Sequence, residues 1–463
     1  MVSADHPSAR WLARLRRGGQ PVYLAVVQAL EAAVRAGELQ AGDQLPPQRA
    51  VAELLGVDLT TVTRAYAAAR ARGLIEGTVG RGTFVRRGAT EDDAGLIDLS
   101  MNLPPPPDGL SLGTLMKDSV RAILERTDPS ALMAYHPAGG SLGQKTAAAA
   151  WLAPCLGDIA PERLLISPGA QTGLAAVLSA LWAAGGRTLA VEPLVYPGLL
   201  SAARQFGFRL AVCAADERGM KPEALAKLCA DEPPTAIYLV PATQNPTAAT
   251  IDLARRREIV EIVRHADVWI VEDDPYSRLF DAPIPALASL APERTFYLAT
   301  LSKCLSPGLR IAFLAPPEGP MAERIEESLR AIAQMSSPLT GAVVTSWIRE
   351  GVADRLLAGV RREARARRTI AAEVLPQARG AAEGIHVWLD LPPAWDAGRV
   401  HRVAQEKGLS LVTAETFAAS EKDHPSGLRI SLGGPANRAV LRGALESVAA
   451  LLQGAGSQTR VVV

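Results

Sequence analysis

The 463-residue sequence predicts an α/β protein in two parts. A small helical N-terminal unit closed by a β-hairpin precedes a larger domain of mostly parallel sheet with helices on both faces, which ends in a smaller α+β lobe. Three observations predict this. The first 88 residues carry twelve arginines, no lysine and seven acidic residues, a balance of +5 that leaves −4 for the remainder. From about residue 97 onward, helical stretches alternate with short apolar runs of β character. Between the two parts, "RRGATEDDAGLID" at 86–98 is polar and reads as a linker. Domains are therefore expected at 1–85 and 99–463, with the C-terminal lobe starting near 345.

Composition excludes several classes of protein. The longest apolar run, "GLAAVLSALWAA" at 173–184, is shorter than the roughly 20 residues that span a bilayer, and the first residues hold no apolar signal core. A cytoplasmic protein with no membrane partner is the expectation. Cys155, Cys213, Cys229 and Cys304 are scattered without CxxC spacing, and the six histidines show no ligand spacing, so neither disulfides nor a metal site is expected.

In the first unit, Tyr23, Val26, Leu30 and Val34 recur at helical spacing, with Gly37 as a stop. "PQRAVAELLG" fits a second helix, with Pro47 in its first turn and Gly56 at its end. "VDLTTVTRAYAAARARG" fits a third, capped by Asp58, burying Val62, Tyr66 and Ala69, and ending at Gly73. "GLIEGTV" and "GRGTFVRR" then read as a hairpin. This is the winged helix-turn-helix order, in which the second helix of the pair enters the major groove of double-stranded DNA. Thr60, Thr61, Thr63 and Arg64 fall in the early turns of that helix, where hydroxyls and a guanidinium suit phosphates and base edges. Arg49, Arg81 and Gly82 would add backbone contacts. The basic balance of this unit fits a polyanionic partner.

"PVYLAV", "GELQAGDQLPPQR", "VAELLGVDLTTVTRAY" and "GRGTFV" together resemble the winged-helix domain of GntR-type regulators over about 65 residues. Two positions depart from the family pattern. Pro47 stands where serine is usual, and Leu59 where many relatives carry arginine.

In the larger part, polar residues follow the apolar runs "LLIS", "TLAVE", "RLAVC", "AIYLV", "VWIVED", "TFYLAT" and "RIAFLA". Open α/β sheets bind ligands at the carboxyl ends of such strands. "PGAQTG" leads into a helix whose first N–H groups, at Ala170 and Gln171, suit a phosphate. "PLVYPG" offers Tyr196 as a stacking ring, "VPATQNPTA" offers Asn245, and "IVEDDPYSRLF" offers Asp273 and Tyr276. In "LATLSKCLSPGLRIAFLA", Lys303 lies between strand-like segments with Thr300, Ser302 and Arg310 near it in sequence, while Cys304 reads as packing. A desolvated lysine has a lowered pKa, and its neutral amine can form a Schiff base. A phosphate cradle, a ring to stack on, a carboxylate for a pyridine nitrogen and an imine-forming lysine are what pyridoxal 5'-phosphate (PLP) requires.

From about residue 97 the chain resembles the fold-type-I PLP-dependent aminotransferases. The resemblance implies that Lys303 bonds the cofactor, Asp273 pairs with the pyridine nitrogen, Tyr276 and Asn245 bind the ring hydroxyl, and Tyr196 stacks. It assigns the phosphate to Ala170, Gln171, Thr300, Ser302 and Arg310, and a substrate carboxylate to Arg429 in "GLRISLGG". Tyr135 in "YHPAGG" would reach the phosphate of a partner subunit in a homodimer, and Asn102 would line the substrate side. A winged helix joined to such a domain resembles the MocR-type branch of the GntR family. That implies a transcription regulator sensing an amino acid, an amine or PLP itself. The alternatives are a working aminotransferase with an appended DNA-binding domain, or a scaffold that has lost its cofactor.

Overall fold

A computed structural model describes residues 11–12, 15, 21–36, 38–40, 42–71, 74–78, 82–85, 96–391, 396–420 and 424–456. The chain divides into two compact units, Met1–Gly95 and Leu96–Val463.

The first unit runs α1 (Val22–Arg35), β1 (Gln44–Leu45), α2 (Gln48–Leu55), α3 (Leu59–Ala71), β2 (Ile75–Thr78) and β3 (Gly82–Val85). The three helices and the antiparallel β2–β3 hairpin follow the predicted order. β1 adds a third strand, antiparallel to β3, that is too short to show any periodicity in the sequence. Pro47 takes the cap of α2 rather than its first turn, and Gly56 ends that helix in the left-handed conformation, φ 61°, which costs glycine little. Val26, Leu30, Val51, Val62, Tyr66 and Ala69 are buried in one core, with Tyr23 and Val34 at its margin. The helix stops expected at Gly37 and Gly73 lie outside the described residues.

In the second unit, Ile97–Asp98 do not belong to the linker. They form β4, paired in parallel with a strand of the C-terminal lobe. The central sheet is built from β5 (Leu165–Ser167), β6 (Thr188–Val191), β7 (Arg209–Val212), β8 (Ala236–Leu239), β9 (Trp269–Asp274), β10 (Thr295–Thr300) and β11 (Ala312–Ala315). All seven apolar runs singled out above enter it. Their order is β5–β11–β10–β9–β8–β6–β7, with every pairing parallel except the two made by β11. Successive side chains of a strand point to opposite faces, and each face here has its own core. Ala236, Tyr238 and Val271 pack with Leu174, Val177 and Leu178 of α4 (Ala170–Ala183) on one side. Ile237, Leu239 and Ile270 pack with Ile259, Val260 and Val263 on the other.

The C-terminal lobe contains α5 (Val352–Val374), β12 (His386–Asp390), β13 (Leu409–Ser410), β14 (Val412–Thr413), β15 (Gly427–Ser431) and α6 (Arg438–Gly456). β12, β15 and β14 form an antiparallel sheet in that order, and β13 is the partner of β4. The boundary expected near 345 falls later. Val343, Val344, Trp347, Leu356, Leu357 and Val360 belong to the core of the large lobe, whereas Ile370 and Ala371 belong to that of the small one. One continuous helix spans both cores, so no change of periodicity marks the boundary.

Tyr66 Oη donates a buried hydrogen bond to the Pro46 carbonyl at 2.9 Å, joining α3 to the segment before α2. Tyr66→Phe leaves that carbonyl without its partner and should destabilise the first unit by about 1–2 kcal/mol. Denaturant unfolding of the full chain measures it; an unchanged transition for that unit would show that the bond contributes nothing.

Candidate cofactor and DNA-binding sites

At the carboxyl ends of β8, β9 and β10 the second unit holds a cavity of about 420 Å³. Asn102, Ala170, Gln171, Tyr196, Asn245, Asp273, Tyr276, Thr300, Ser302, Lys303, Arg310 and Arg429 all line it. Residues more than 300 positions apart are thus brought to one wall. Tyr135 is not among them: it stands 84% exposed to solvent.

One end of the cavity gathers hydrogen-bond donors. α4 starts at Ala170 with Gly169 as its cap, φ 98°, so its first N–H groups are left without helical partners. A Cβ at Gly169 would collide with the Arg310 guanidinium, so glycine is what lets that cation lie against the helix start. Arg310 Nη2 donates to the Pro168 carbonyl at 3.2 Å. Thr300 Oγ1 and Ser302 Oγ are 2.9 Å apart at the end of β10. Gln171 is fixed by a 2.9 Å bond from Nε2 to the Gly198 carbonyl. A helix N-terminus, two hydroxyls and a guanidinium in one place are donors of the kind that suit a phosphate.

Further in, Asp273 is 5% exposed. Its Oδ2 accepts a 2.6 Å bond from Tyr238 Oη, and its buried Oδ1 has no partner. Burial pushes this carboxyl up to about 6, although the Tyr238 bond favours the charged form. A carboxylate oxygen left bare inside a protein is costly, and an N–H donor from a ligand would relieve it. Tyr276 Oη accepts from Asn102 Nδ2 at 2.9 Å, and Tyr196 is half-buried on the same cavity.

Lys303 Nζ donates to the backbone carbonyl of Asn102 at 2.7 Å. Its pKa is lowered to about 8, by burial first and then by the nearby Arg429 guanidinium, against the opposing charge of Asp273. Arg429 Nη1 donates to Asn245 Oδ1 at 2.8 Å, and its Nη2 to the Ser100 carbonyl. Arg429 Nε is buried without a partner. Cys304 is buried beside the lysine as a packing residue.

Two further buried residues, without a local motif in the sequence, bond to groups lining the cavity. Tyr238 sits inside the apolar run "AIYLV", where only its pairing with Asp273 reveals a role. His386, in "IHVWLD", is fully buried and bonds Asn102 Nδ2 through Nδ1 at 2.9 Å and the Gln244 carbonyl through Nε2 at 3.1 Å. The carbonyl can only accept, so Nε2 carries the proton and Nδ1 accepts from Asn102. Burial holds this imidazole neutral, with its pKa down at about 3. A buried polar side chain in an apolar strand was the available signal in both cases.

These groups fit PLP. The bare Oδ1 of Asp273 suits a protonated pyridine nitrogen, the α4 N-terminus suits the phosphate, and Lys303 supplies an amine of lowered pKa.

In the first unit, Thr60 donates to Asp58 Oδ1 through its backbone N–H at 2.8 Å and its hydroxyl at 2.5 Å, which caps α3. Thr63 Oγ1 donates to Gln48 Oε1 at 2.8 Å, which brings Gln48 of α2 beside the start of α3. The Arg64 guanidinium lies 4.1 Å over the Tyr23 ring, a cation–π contact that fixes its direction. Thr61 lies in the first turn of α3, and Arg49 is exposed on α2. Gly82 approaches Gln44 so closely that a Cβ would fall 2.7 Å from its amide nitrogen. Arg81 lies outside the described residues.

A winged helix-turn-helix joined to an α/β domain with a PLP site defines a transcription regulator built on an aminotransferase fold. Residues 94–447 match the family model for aminotransferase class I and II, and residues 22–85 match that for bacterial regulatory proteins of the gntR family. The chain belongs to the class I and II aminotransferase family and carries a GntR-type DNA-binding domain; its cofactor is PLP. It is 28% identical over 436 residues to the HTH-type transcriptional regulator YdeF of Bacillus subtilis, covering 92% of this chain and 93% of the relative. It is 28% identical over 377 residues to the pyridoxine biosynthesis transcriptional regulator PdxR of Corynebacterium glutamicum, covering 77% of this chain and 80% of that one. Among solved structures, LysN, an alpha-aminoadipate aminotransferase of Thermus thermophilus complexed with N-(5'-phosphopyridoxyl)-L-leucine, superposes with a TM-score of 0.69. The identity is 25%, over 84% of this chain and 98% of LysN. No helix among the described residues is long and apolar enough to cross a membrane.

The lowered pKa of Lys303 has a kinetic consequence. A neutral amine is the nucleophile, so the rate at which the cofactor-free chain develops its lysine-dependent visible absorbance after PLP is added should rise about tenfold per pH unit below about 8 and flatten above it. A profile still climbing toward 10.5, the ordinary lysine value, would refute the desolvated state of Lys303.

Proposed function

We propose that this regulator senses a small amine or amino acid in the cavity around Lys303 and reads double-stranded DNA with α3. The observation that carries the sensing part is Asn102. Its backbone carbonyl holds Lys303 Nζ, and its side chain bonds Tyr276 and His386, so the position of the lysine is transmitted to β12 of the C-terminal lobe.

PLP, when bound, supplies an aldehyde carbon that a primary amine can bond and a ring that withdraws electrons. Asp273, with its bare Oδ1, would take the pyridine nitrogen, Asn245 and Tyr276 would take the ring hydroxyl, and Tyr196 would stack on the ring. Ala170, Gln171, Thr300, Ser302 and Arg310 would hold the phosphate. Arg429, partly freed from the Ser100 carbonyl, would clasp an effector carboxylate with its bidentate fork. Lys303, when not bonded elsewhere, stays with the Asn102 carbonyl. Effector amine and Lys303 therefore compete for the same place, and the lobe carrying His386 responds to the outcome.

Thr60, Thr61, Thr63, Arg64 and Arg49 are the proposed DNA contacts, with Gln48 added beside Thr63. Gly82 supports the wing by its close approach to Gln44. A homodimer is part of the proposal, because the fold-type-I resemblance assigns Tyr135 to a partner subunit's site, and Tyr135 stands exposed together with Met133 and Leu142 in the same stretch of chain.

A second reading, turnover as an aminotransferase, is favoured by Arg429 and Lys303 sharing one cavity. Steady-state formation of a keto acid from amino acids, measured beside binding to the protein's own upstream DNA, separates the two. Rapid multiple turnover without sequence-specific DNA binding would overturn the sensing proposal.

Arg64→Ala should weaken DNA binding about 5- to 100-fold while cofactor absorbance stays unchanged. Lys303→Ala should abolish the lysine-dependent absorbance and leave DNA binding measurable. Spectral titration and a DNA mobility shift on each variant test this; loss of both properties from either change would contradict separate DNA and ligand modules.

A further inference from the structure

A second, smaller cavity of about 200 Å³ lies in the same unit, on the other side of the loop that follows β8. Gln244 lines this cavity and its neighbour Asn245 lines the first. Its walls come from both lobes. Glu192, Asp216 and Glu217 belong to the large lobe, and Arg379, Trp388 and Asp390 to the small one.

The charges around it are unevenly satisfied. Asp216 is paired in bidentate fashion with Arg255, at 2.5 and 3.1 Å. Asp390 accepts from Arg379 at 2.8 and 2.7 Å and from the Trp388 indole at 2.7 Å. Gln244 is fixed by bonds to the Leu194 carbonyl and to Thr247. Glu192 differs. It is 3% exposed, and its Oε1 has no hydrogen-bond partner. Burial pushes its pKa up to about 7, and the Gln244 side chain, the Met220 backbone and the charge of Arg255, itself paired with Asp216, do not offset the lost water. Glu217 adds a further carboxylate on the exposed rim with no ion pair among the described residues. Pro193, Leu194 and Pro425 supply apolar wall.

We propose that this cavity is a second ligand site, for a small organic cation with N–H donors and a short alkyl body, seated on Glu192 between the two lobes. The missing element is a donor to Oε1: the Gln244 side chain and the Met220 backbone lie against this carboxyl but neither carries charge, and an ammonium or guanidinium would add a charge-assisted hydrogen bond at the bare oxygen. One ordered water would fill only a fraction of 200 Å³, since its share of volume is about 30 Å³.

The position gives the site a means of control. Leu194, Trp388 and Phe417 pack together as an apolar partition, with Phe417 facing the first cavity. Trp388 on β12 pairs in register with Arg429 on β15. A cation bridging Glu192 to the Trp388–Asp390 end of β12 fixes the lobe that carries Arg429 and His386, and so biases the first cavity without entering it.

Methylguanidinium is a suitable probe, because it has the donors and alkyl group but no primary alkylamine to react with PLP. Calorimetric titration of the full, PLP-loaded chain should show saturable binding at one site per chain. Glu192→Gln, which keeps the shape and removes the charge, should weaken it about tenfold or more without lowering the melting temperature. Glu217→Lys, on the exposed rim, should weaken it about threefold or more and does not depend on the buried position tolerating change. Absence of saturable binding at millimolar probe, or equal affinity in both variants and the parent chain, would overturn the proposal. Either result leaves the reading of the Lys303 cavity untouched, because that reading is scored by cofactor absorbance.

Discussion

One buried asparagine carries much of the organisation of the second unit. Asn102 lies just beyond β4, early in the unit, yet its carbonyl accepts from Lys303 and its amide donates to Tyr276 and His386. Three distant segments therefore meet at a single residue. The cost of leaving any of these buried groups unbonded forces the three to stay in place together. The parallel pairing of β4 with β13 fixes the chain just before it, and Ser431 Oγ holds the Met101 carbonyl at 2.7 Å. The early segment thus acts as a strap across the C-terminal lobe, with the cavity under it.

Burial drives the electrostatics of that cavity in opposite directions. It raises the Asp273 carboxyl to about 6 and lowers the Lys303 amine to about 8. In each case the charged form is disfavoured by the loss of water. Asp273 Oδ1 has no partner in the protein and Lys303 Nζ has the Asn102 carbonyl; in the proposed arrangement PLP would supply an N–H for the carboxylate and a carbon for the amine. A site whose groups are strained toward neutrality is poised to respond when a cation or an amine arrives.

The arrangement of two cavities around one loop follows from the same geometry. Ligand-binding residues collect at the carboxyl ends of parallel strands, where loops can carry polar side chains that the apolar strands cannot. The loop after β8 turns Gln244 one way and Asn245 the other. β12 likewise places His386 near the first cavity and Trp388 and Asp390 beside the second. Movement of the small lobe would be felt at both.

Local pattern and residue chemistry determined a great deal. The helix-turn-helix spacing, the seven apolar runs and the polar residues after them made both domains legible, and the Lys303 segment with Asp273 and Arg429 pointed to PLP. Those features are local, because strand burial, helix caps and phosphate-binding turns each leave a short signature. Only the tertiary structure decided what depends on distant contact. It moved Ile97–Asp98 from the linker into a strand, since a two-residue strand has no period of its own and exists only through β13. It placed the lobe boundary inside α5, because a continuous helix looks the same whichever core it faces. It also revealed Tyr238 and His386, whose partners lie 35 and 284 residues away. A hydrogen bond across such a separation leaves no trace in the neighbouring sequence; it is set by where the folded backbone brings the two groups.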